Sequence, residues 1–294
     1  MRNRLPVWFR QEIPDAHTLA IRHLLSEFDV HTVCQEAKCP NLTHCFKNNQ
    51  LTFMILGSTC TRNCTFCHIG TVLKPKQKCP PKGDTLRLSR EPSLIAKLIK
   101  LLGIKFAVIS SVTRDDLDLG GADQFVRTIE AIRLLCPQTK IEVLIPDFQG
   151  SDEAFRVVAE ARPDVIAHNL ETVARLYPEI RPQADYWLSL EVLSKIKALK
   201  PDLTTKSSLM LGLGEKEEEV IETLQDLVNT GCEILTLGQY LAPSENHYPV
   251  KEFISIEQFE RYRKIGLSLG FRSVFSEPLV RSSYQAEEVY QCTI

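Results

Sequence analysis

From Leu51 onward, short apolar runs rich in branched residues alternate with longer segments of helical periodicity. Short runs of this kind predict buried strands, and the longer segments predict amphipathic helices packed against them. The predicted strands are LTFMIL from Leu51, FAVISS from Phe106, KIEVLI from Lys140, VIAHN from Val165, TTKSSLML from Thr204 and EILTLGQ from Glu233. The predicted helices begin at Ser93, Ala122, Asp152, Tyr186, Lys216 and Ile256.

This alternation is the βαβ rhythm of an α/β fold, in which right-handed helical crossovers join parallel strands. Six repeats predict a partial (β/α)6 barrel of the TIM type, with extensions at both ends. The predicted boundaries are an N-terminal extension at residues 1–50, a barrel at 51–270 and a C-terminal extension at 271–294. A doubly wound open sheet is the alternative, because periodicity alone does not distinguish the two.

The balance of charge narrows the expected partners. The 294 residues include 35 lysines and arginines against 37 acidic residues, so neither nucleic acid nor an anionic membrane surface is expected as a partner. The N-terminal residues lack the apolar stretch of a secretory signal, and no apolar run is long enough to span a bilayer. We therefore expect a cytoplasmic protein.

Six of the ten cysteines form two triplets. Cys60, Cys64 and Cys67 form a CxxxCxxC array directly after the first predicted strand, and Cys34, Cys39 and Cys45 lie upstream. Each triplet is one ligand short of the four that a cubane 4Fe–4S cluster takes. A structural zinc site is the alternative, with Cys79 as a possible fourth ligand, but zinc usually takes paired CxxC arms. Iron–sulfur clusters are therefore favoured.

A CxxxCxxC array at the end of a first barrel strand resembles the radical S-adenosylmethionine superfamily. Further motifs are similar to those of the lipoyl synthases within it. These are RLPVWFR near the start, CQEAKCPNLTHC, CTRNCTFC, SVTRDDLDLGGA, HNLETV, LMLGLGE and RSSYQA. The resemblance covers essentially the whole chain.

The resemblance implies that the cluster on Cys60, Cys64 and Cys67 binds S-adenosylmethionine at its open iron and generates a 5′-deoxyadenosyl radical. It also implies cosubstrate contacts from four residues. Packing of the loop is the alternative role for Phe66, and capping of a loop is the alternative for Thr113. For Asn169, the alternative role is to support the backbone of a loop. The implied contacts are Phe66, Thr113, Asn169 and Glu171.

For the upstream triplet, the resemblance implies an auxiliary 4Fe–4S cluster whose fourth ligand is Ser283 of the RSSY motif. The neighbouring Ser282 is an alternative that chemistry alone does not separate from it. Arg281 is expected to clamp part of the active site. Arg181 is expected to contact a carboxylate or the substrate, with a surface salt bridge as the alternative.

The implied reaction inserts two sulfur atoms, at C6 and C8, into an octanoyl chain on a lysine of a lipoyl carrier domain. The implied carriers are of the H protein or 2-oxoacid dehydrogenase E2 type, and the implied electron donor is a flavodoxin or ferredoxin. The auxiliary cluster would donate the sulfur. A run of lysines after the second array could steer an acidic carrier, although a solvated loop is the alternative. The run comprises Lys74, Lys76, Lys78 and Lys82.

Two other functions remain open from the sequence. The first is a two-cluster radical enzyme that inserts sulfur into a free small molecule. The second is an iron–sulfur carrier without catalytic activity, although a carrier normally keeps its cluster fully ligated.

Overall fold

The protein is described by a computed structural model that covers residues 6, 8, 9, 12–71 and 85–292. Within these residues, all of the predicted strands are present. The strands are β1 (His31–Thr32), β2 (Thr52–Ile55), β3 (Thr59–Cys60), β4 (Gly70–Thr71), β5 (Phe106–Ser111), β6 (Lys140–Leu144), β7 (Val165–Ala167), β8 (Thr204–Leu211), β9 (Ile234–Gln239) and β10 (Ser273–Ser276).

One sheet has the order β1-β2-β5-β6-β7-β8-β9-β10. Neighbouring strands from β2 to β10 are parallel, whereas β1 pairs with β2 in the antiparallel sense. β3 and β4 form a separate small sheet. A sequential parallel order with helical crossovers is that of a partial TIM-type barrel, so the predicted fold class is confirmed.

β10 extends the sheet beyond the six predicted strands. Ser273–Ser276 is a four-residue segment that begins and ends with serine, so it carries little of the apolar pattern of a buried strand. Its pairing with β9 was therefore not evident from the sequence.

All six predicted helices are present with one boundary displaced, and the described residues contain five further α-helices that the sequence did not predict. The helix predicted to start at Ser93 begins instead at Thr85. Pro92 is typical of a helix start, but here it lies inside the helix. The helices are α1 (Ala16–Glu27), α2 (Val33–Glu36), α3 (Leu42–Lys47), α4 (Thr85–Leu102), α5 (Ala122–Leu135), α6 (Asp152–Glu160), α7 (Tyr177–Ile180), α8 (Tyr186–Leu199), α9 (Glu217–Asn229), α10 (Ile256–Leu269) and α11 (Ala286–Gln291).

The two faces of β5 pack against different parts of the chain. Ala107 and Ile109 belong to the large core that the helices cover. Phe106 and Val108, on the other face, pack with Ala286 of α11 in a separate apolar cluster. Since successive side chains of a strand point to opposite faces, α11 lies on the inner face of the sheet. The C-terminal segment is thereby brought inside the partial barrel.

The inner face also carries a buried ion pair. Lys206 on β8 donates hydrogen bonds of 2.9 Å to both carboxylate oxygens of Glu142 on β6. Both side chains are at most 1% exposed. A buried charge is tolerated only when it is paired, so each of the two depends on the other.

Candidate active site

The upstream cysteines meet at a cavity of about 310 Å³, called here the upstream cavity, on the N-terminal side of the sheet. Cys34 lies in α2 and Cys45 in α3. Cys39 lies in the turn between the two helices, and its amide donates a hydrogen bond of 3.1 Å to the Cys34 carbonyl oxygen. Ser283 lines the same cavity. Two short helices and a turn thus place these cysteines together with a residue from the far end of the chain.

Ser282 and Ser283 make different contacts. Ser283 Oγ accepts a hydrogen bond of 2.7 Å from Thr52 Oγ1 and lines the upstream cavity. Ser282 Oγ instead donates to Asn169 Oδ1 at 2.9 Å, beyond the end of β7. The geometry therefore separates two serines that chemistry alone does not separate.

Arg281 also lines the upstream cavity. Its Nη1 donates to the backbone oxygen of Val280 at 2.7 Å, which folds the guanidinium back onto its own segment. Burial lowers the pKa of Arg281, and the nearby Cys39 opposes that shift. A cation at this place would stabilise thiolates in the cavity.

Residues 60–67, called here the CxxxCxxC loop, start at the end of β3. Backbone hydrogen bonds fix the loop at both ends. The Thr61 amide donates to the Thr113 carbonyl oxygen at 3.0 Å, and the Thr65 amide donates to the Ile180 carbonyl oxygen at 3.0 Å. The Thr65 carbonyl oxygen accepts from the Tyr248 amide at 2.9 Å. The loop is thus fastened to segments that follow β5, β7 and β9.

Arg62, inside this loop, joins two carboxylates. Its Nε and Nη2 donate to the two oxygens of Asp115 at 2.9 Å, and its Nη2 also donates to Asp147 at 2.6 Å. Burial alone would raise the pKa of Asp147, but the hydrogen bonds and charge of Arg62 outweigh it and the pKa is lowered. Sequence reasoning missed this network, because the three residues meet only in the folded chain.

Asn169 and Glu171 lie together after β7, as predicted for the mouth of a barrel. Asn169 Nδ2 donates to Glu171 Oε1 at 3.0 Å. Burial raises the pKa of the Glu171 carboxyl, while Arg181 and Asn169 oppose the rise. These two side chains offer the hydrogen-bonding groups that a polar cosubstrate needs; their assigned contact with it stays a prediction.

Arg181 is buried, so it does not form the surface salt bridge considered from the sequence. Its Nη1 donates to the carbonyl oxygens of Asn169 at 3.0 Å and Leu170 at 3.2 Å, and to Tyr177 Oη at 2.9 Å. Its Nε has no partner among the described residues. Arg181 therefore braces the backbone that presents Asn169.

Phe66 and Thr113 lie at the CxxxCxxC loop. Phe66 is partly buried and packs against the apolar cluster that contains Tyr177 and Ile180. The Thr113 carbonyl oxygen accepts from the Thr61 hydroxyl at 3.0 Å. Phe66 and Thr113 thus both support the loop, which is the alternative role that the sequence offered for each. Their contacts with a cosubstrate stay predictions.

The thiols themselves are consistent with iron–sulfur ligation. Burial raises the pKa of Cys34 to about 12 and that of Cys67 to about 12. Thiolates in such surroundings need a metal to remain deprotonated. Among the described residues, no three His, Cys, Asp or Glu side chains are placed to hold a single ion. The assignment of the two cysteine triplets to iron–sulfur clusters stays a prediction.

The lysine run from Lys74 to Lys82, together with Cys79, falls outside the described residues. The docking role of those lysines therefore stays a prediction. In the part of the chain that the structure covers, no helix has both the length and the apolar character needed to cross a membrane.

The family model of the radical SAM superfamily matches residues 54–227. Lipoyl synthase from Caldicellulosiruptor saccharolyticus is 49% identical over 98% of this chain and 98% of its own length. The chain belongs to the lipoyl synthase family of radical S-adenosylmethionine enzymes. Lipoyl synthase from Alkaliphilus metalliredigens is 48% identical over 98% of this chain and 96% of its own. Membership makes the protein a radical enzyme of the sulfurtransferase class, with a 4Fe–4S cluster and S-adenosylmethionine as cofactors.

Solved structures support the fold alone. Methylornithine synthase (PylB) matches with a TM-score of 0.52 at 13% identity, over 80% of this chain and 75% of that chain. Streptococcus suis SuiB bound to S-adenosylmethionine matches with a TM-score of 0.55 at 11% identity, over 80% and 53% respectively. The partial barrel of this lipoyl synthase family member is therefore a fold shared with methylornithine synthase and SuiB.

Proposed function

We propose that this protein inserts two sulfur atoms, at C6 and C8, into an octanoyl chain carried as an amide on a lysine of a lipoyl carrier domain. One observation carries the proposal beyond family membership. Cys34, Cys39, Cys45 and Ser283 line the same upstream cavity, which supports Ser283 as the fourth donor that this proposal assigns to the triplet. An enzyme that only generated a radical would not need this second set of ligands.

In this proposal, the CxxxCxxC cysteines hold a cluster with one open position for S-adenosylmethionine, and the upstream residues hold an auxiliary cluster. When bound, the first supplies a 5′-deoxyadenosyl radical able to abstract hydrogen from saturated carbon, and the second supplies sulfur. Saturated methylene groups offer no acidic proton and no electrophile, so a route through acid–base or nucleophilic groups of the chain is not available to the substrate.

The chain's own residues position and shield these groups. Asn169 and Glu171 provide hydrogen-bonding groups for the cosubstrate after β7, and Arg181 braces their backbone. Phe66 and Thr113 complete the contacts assigned to the cosubstrate. Ser283 contributes a hard oxygen donor, which binds iron of a thiolate cluster less firmly than a fourth cysteine would. Such a ligand suits a cluster that gives up sulfur.

The proposed partners are octanoylated carrier domains of the H protein or E2 type, and a flavodoxin or ferredoxin as reductant. Carriers present a lysine amide at the end of a long chain, so the octanoyl group can reach a site inside a barrel while the carrier remains outside. The carrier determines docking, and the acyl chain alone meets the reactive groups.

The decisive experiment is anaerobic reconstitution with iron and sulfide, followed by reaction with an octanoylated carrier peptide, reductant and S-adenosylmethionine. We expect 5′-deoxyadenosine together with peptide that has gained two sulfur atoms, measured by mass spectrometry. Free octanoate and octanamide serve as controls and should remain unchanged. Sulfur insertion into the free acid but not the peptide, or no 5′-deoxyadenosine at all, would contradict the proposal.

A further inference from the structure

A histidine next to the CxxxCxxC loop contacts the helix that carries an upstream cysteine. His68 follows Cys67 directly, and its Nδ1 lies 2.9 Å from the backbone oxygen of Glu36 in α2. A carbonyl oxygen can only accept, so Nδ1 carries the hydrogen and donates. This hydrogen bond joins the segment of one cysteine triplet to the segment of the other.

The position of Glu36 makes this contact informative. α2 is a single turn, and the carbonyl groups in the last turn of a helix lack partners within the helix. Around Glu36, the amides of Ala37, Lys38 and Cys39 donate to the carbonyl oxygens of Val33, Gln35 and Cys34 respectively. The Glu36 carbonyl thus remains for His68 to bind, midway between two upstream cysteines.

His68 is itself fixed from the other side. The ring of His247 stacks on it, with centroids 5.7 Å apart and an angle of 26° between the planes. His247 Nε2 donates to the Cys67 carbonyl oxygen at 3.2 Å, and its Nδ1 accepts from the Ser244 hydroxyl at 2.8 Å. The His68 ring therefore has little freedom to turn away from Glu36.

The Glu36 side chain is fixed as well. Glu36 Oε1 lies 2.9 Å from His31 Nδ1, and His31 belongs to β1 at the edge of the main sheet. Glu36 is thereby fastened to the sheet by its carboxylate and, by its carbonyl, to His68 next to the CxxxCxxC loop. With both ends fixed, the turn that carries Cys34 and Cys39 has a defined place relative to Cys67.

We propose that His68 is a positioning residue that sets the placement of the upstream cysteine segment, residues 33–39, relative to the CxxxCxxC loop. This rests on the proposed function, in which a radical formed at one site must lead to sulfur capture at the other. A misplacement of about 1 Å can reduce the rate of such a step by about 100-fold. His68 therefore governs how often radical formation ends in sulfur insertion, rather than radical formation itself.

The test compares His68→Leu, which removes the donor, with His68→Asn, whose side-chain amide can place an N–H where Nδ1 stood. The measured quantity is sulfur inserted per 5′-deoxyadenosine formed, with iron and sulfide content determined for each protein. We expect this ratio to fall by about tenfold in His68→Leu, within the range that misplacement produces, and to recover in His68→Asn. His23→Leu, at an exposed histidine of α1, is the matched control and should not change it.

Hydrogen–deuterium exchange of the full chain without clusters provides a readout independent of activity. Residues 33–39 should exchange faster in His68→Leu, return toward the wild-type rate in His68→Asn, and leave α1 unaffected. An unchanged product ratio in His68→Leu would overturn the proposal, as would equal losses of 5′-deoxyadenosine and product. Failure of the wild-type protein to insert any sulfur would instead count against the proposed function, while the exchange data would still test the contact.

Discussion

Thr52 donates a hydrogen bond of 2.7 Å to Ser283, although 231 residues separate them in the chain. Thr52 is the first residue of β2 and pairs with Val108 of β5, so its side chain belongs to the inner face of the sheet. The contact thus anchors the C-terminal segment inside the partial barrel. It places Ser283 at the upstream cavity.

Replacing Ser283 with alanine should separate radical formation from sulfur insertion. The CxxxCxxC loop does not involve Ser283, so 5′-deoxyadenosine should still form. Lipoyl product should fall by at least the roughly tenfold loss that follows when a partner of a metal ligand is removed. Both products are measured in the same reaction by mass spectrometry.

Ser282→Ala is the matched control, because Ser282 contacts Asn169 rather than the upstream cavity. We expect this variant to retain sulfur insertion per radical formed. A Ser283→Ala protein that makes lipoyl product as efficiently as the wild type would remove the assigned role of Ser283.

Gly238→Ala should displace the C-terminal segment. A Cβ at Gly238 would lie 1.9 Å from the Val280 carbonyl oxygen, which is backbone and cannot turn aside. Forcing extra atoms into a packed site costs about 1–3 kcal/mol, so the free energy of unfolding should fall by that amount. Displacement of the neighbouring Ser283 should also lower the iron content after reconstitution.

Gly70→Ala tests whether this effect is specific. There the added Cβ would make an ordinary contact of 3.4 Å with the Ser58 oxygen, and we expect little change in stability or iron. Denaturant titration and iron analysis of the three proteins measure both effects. Normal iron content in Gly238→Ala would argue against a link between this close contact and the cluster site.

Removal of Arg62 should destabilise the fold as well as the loop. Asp147 is 1% exposed, and Arg62→Leu would leave its carboxylate buried without a cation. Loss of one partner of a buried pair costs about 3–5 kcal/mol. Urea unfolding measures this loss, provided that the slope of the unfolding free energy against urea concentration is the same as in the wild type.

Arg156→Leu serves as the control, since its ion pair with Glu153 is exposed. Exposed pairs contribute about 0–1 kcal/mol, so this variant should unfold near the wild-type midpoint. Similar midpoints for the two variants would show that the Arg62 pair contributes no more than a surface pair.

Lys206→Met should make stability depend on pH. Burial raises the pKa of Glu142, and the Lys206 charge opposes that rise. Without Lys206, the folded-state pKa of Glu142 lies further above its unfolded value. A group with a raised folded pKa contributes its stability at low pH and loses it as pH rises. We therefore expect a loss of about 3–5 kcal/mol near neutral pH that shrinks toward acidic pH.

Urea unfolding of Lys206→Met and of the wild type at about pH 5 and about pH 8 measures the loss of stability at each pH. Comparison with the wild type at the same pH subtracts the effect of other titrating groups. Lys195→Met, at a partly exposed pair with Asp152, is the control and should lose little at either pH. The double variant with Glu142→Leu should regain part of the stability. An equal loss at both pH values would contradict the expectation.

Much of the fold could be predicted because its pattern is local. The helices α5, α8 and α10 begin and end where the apolar periodicity does, since each buries one continuous stripe against the sheet. The start of α4 and the existence of β10 were missed. Pro92 is typical of a helix start although it lies inside α4, and Ser273–Ser276 is short with a serine at each end, so neither feature has a clear local signal.

The two cysteine triplets were visible in the sequence because their spacing is a local signal, whereas Ser283 was predicted only through the resemblance of the RSSY motif to that of the lipoyl synthases. Residues that act through contacts were not visible. Arg62 meets Asp115 and Asp147 only after the strands have aligned, and His68 meets Glu36 only when two loops approach each other. The residues in these contacts are far apart in the chain, and no sequence motif links them.

The local pattern of residues therefore predicts the parallel strands, their crossover helices and the two cysteine triplets, because residues close together in the chain carry those signals. Tertiary structure gives Ser283 and Ser282 different contacts, a distinction that the sequence made only through the family resemblance. Both are serines in one motif, and chemistry treats them alike. Their environments differ because the C-terminal segment crosses the inner face of the sheet, where one side chain meets Thr52 and the other meets Asn169.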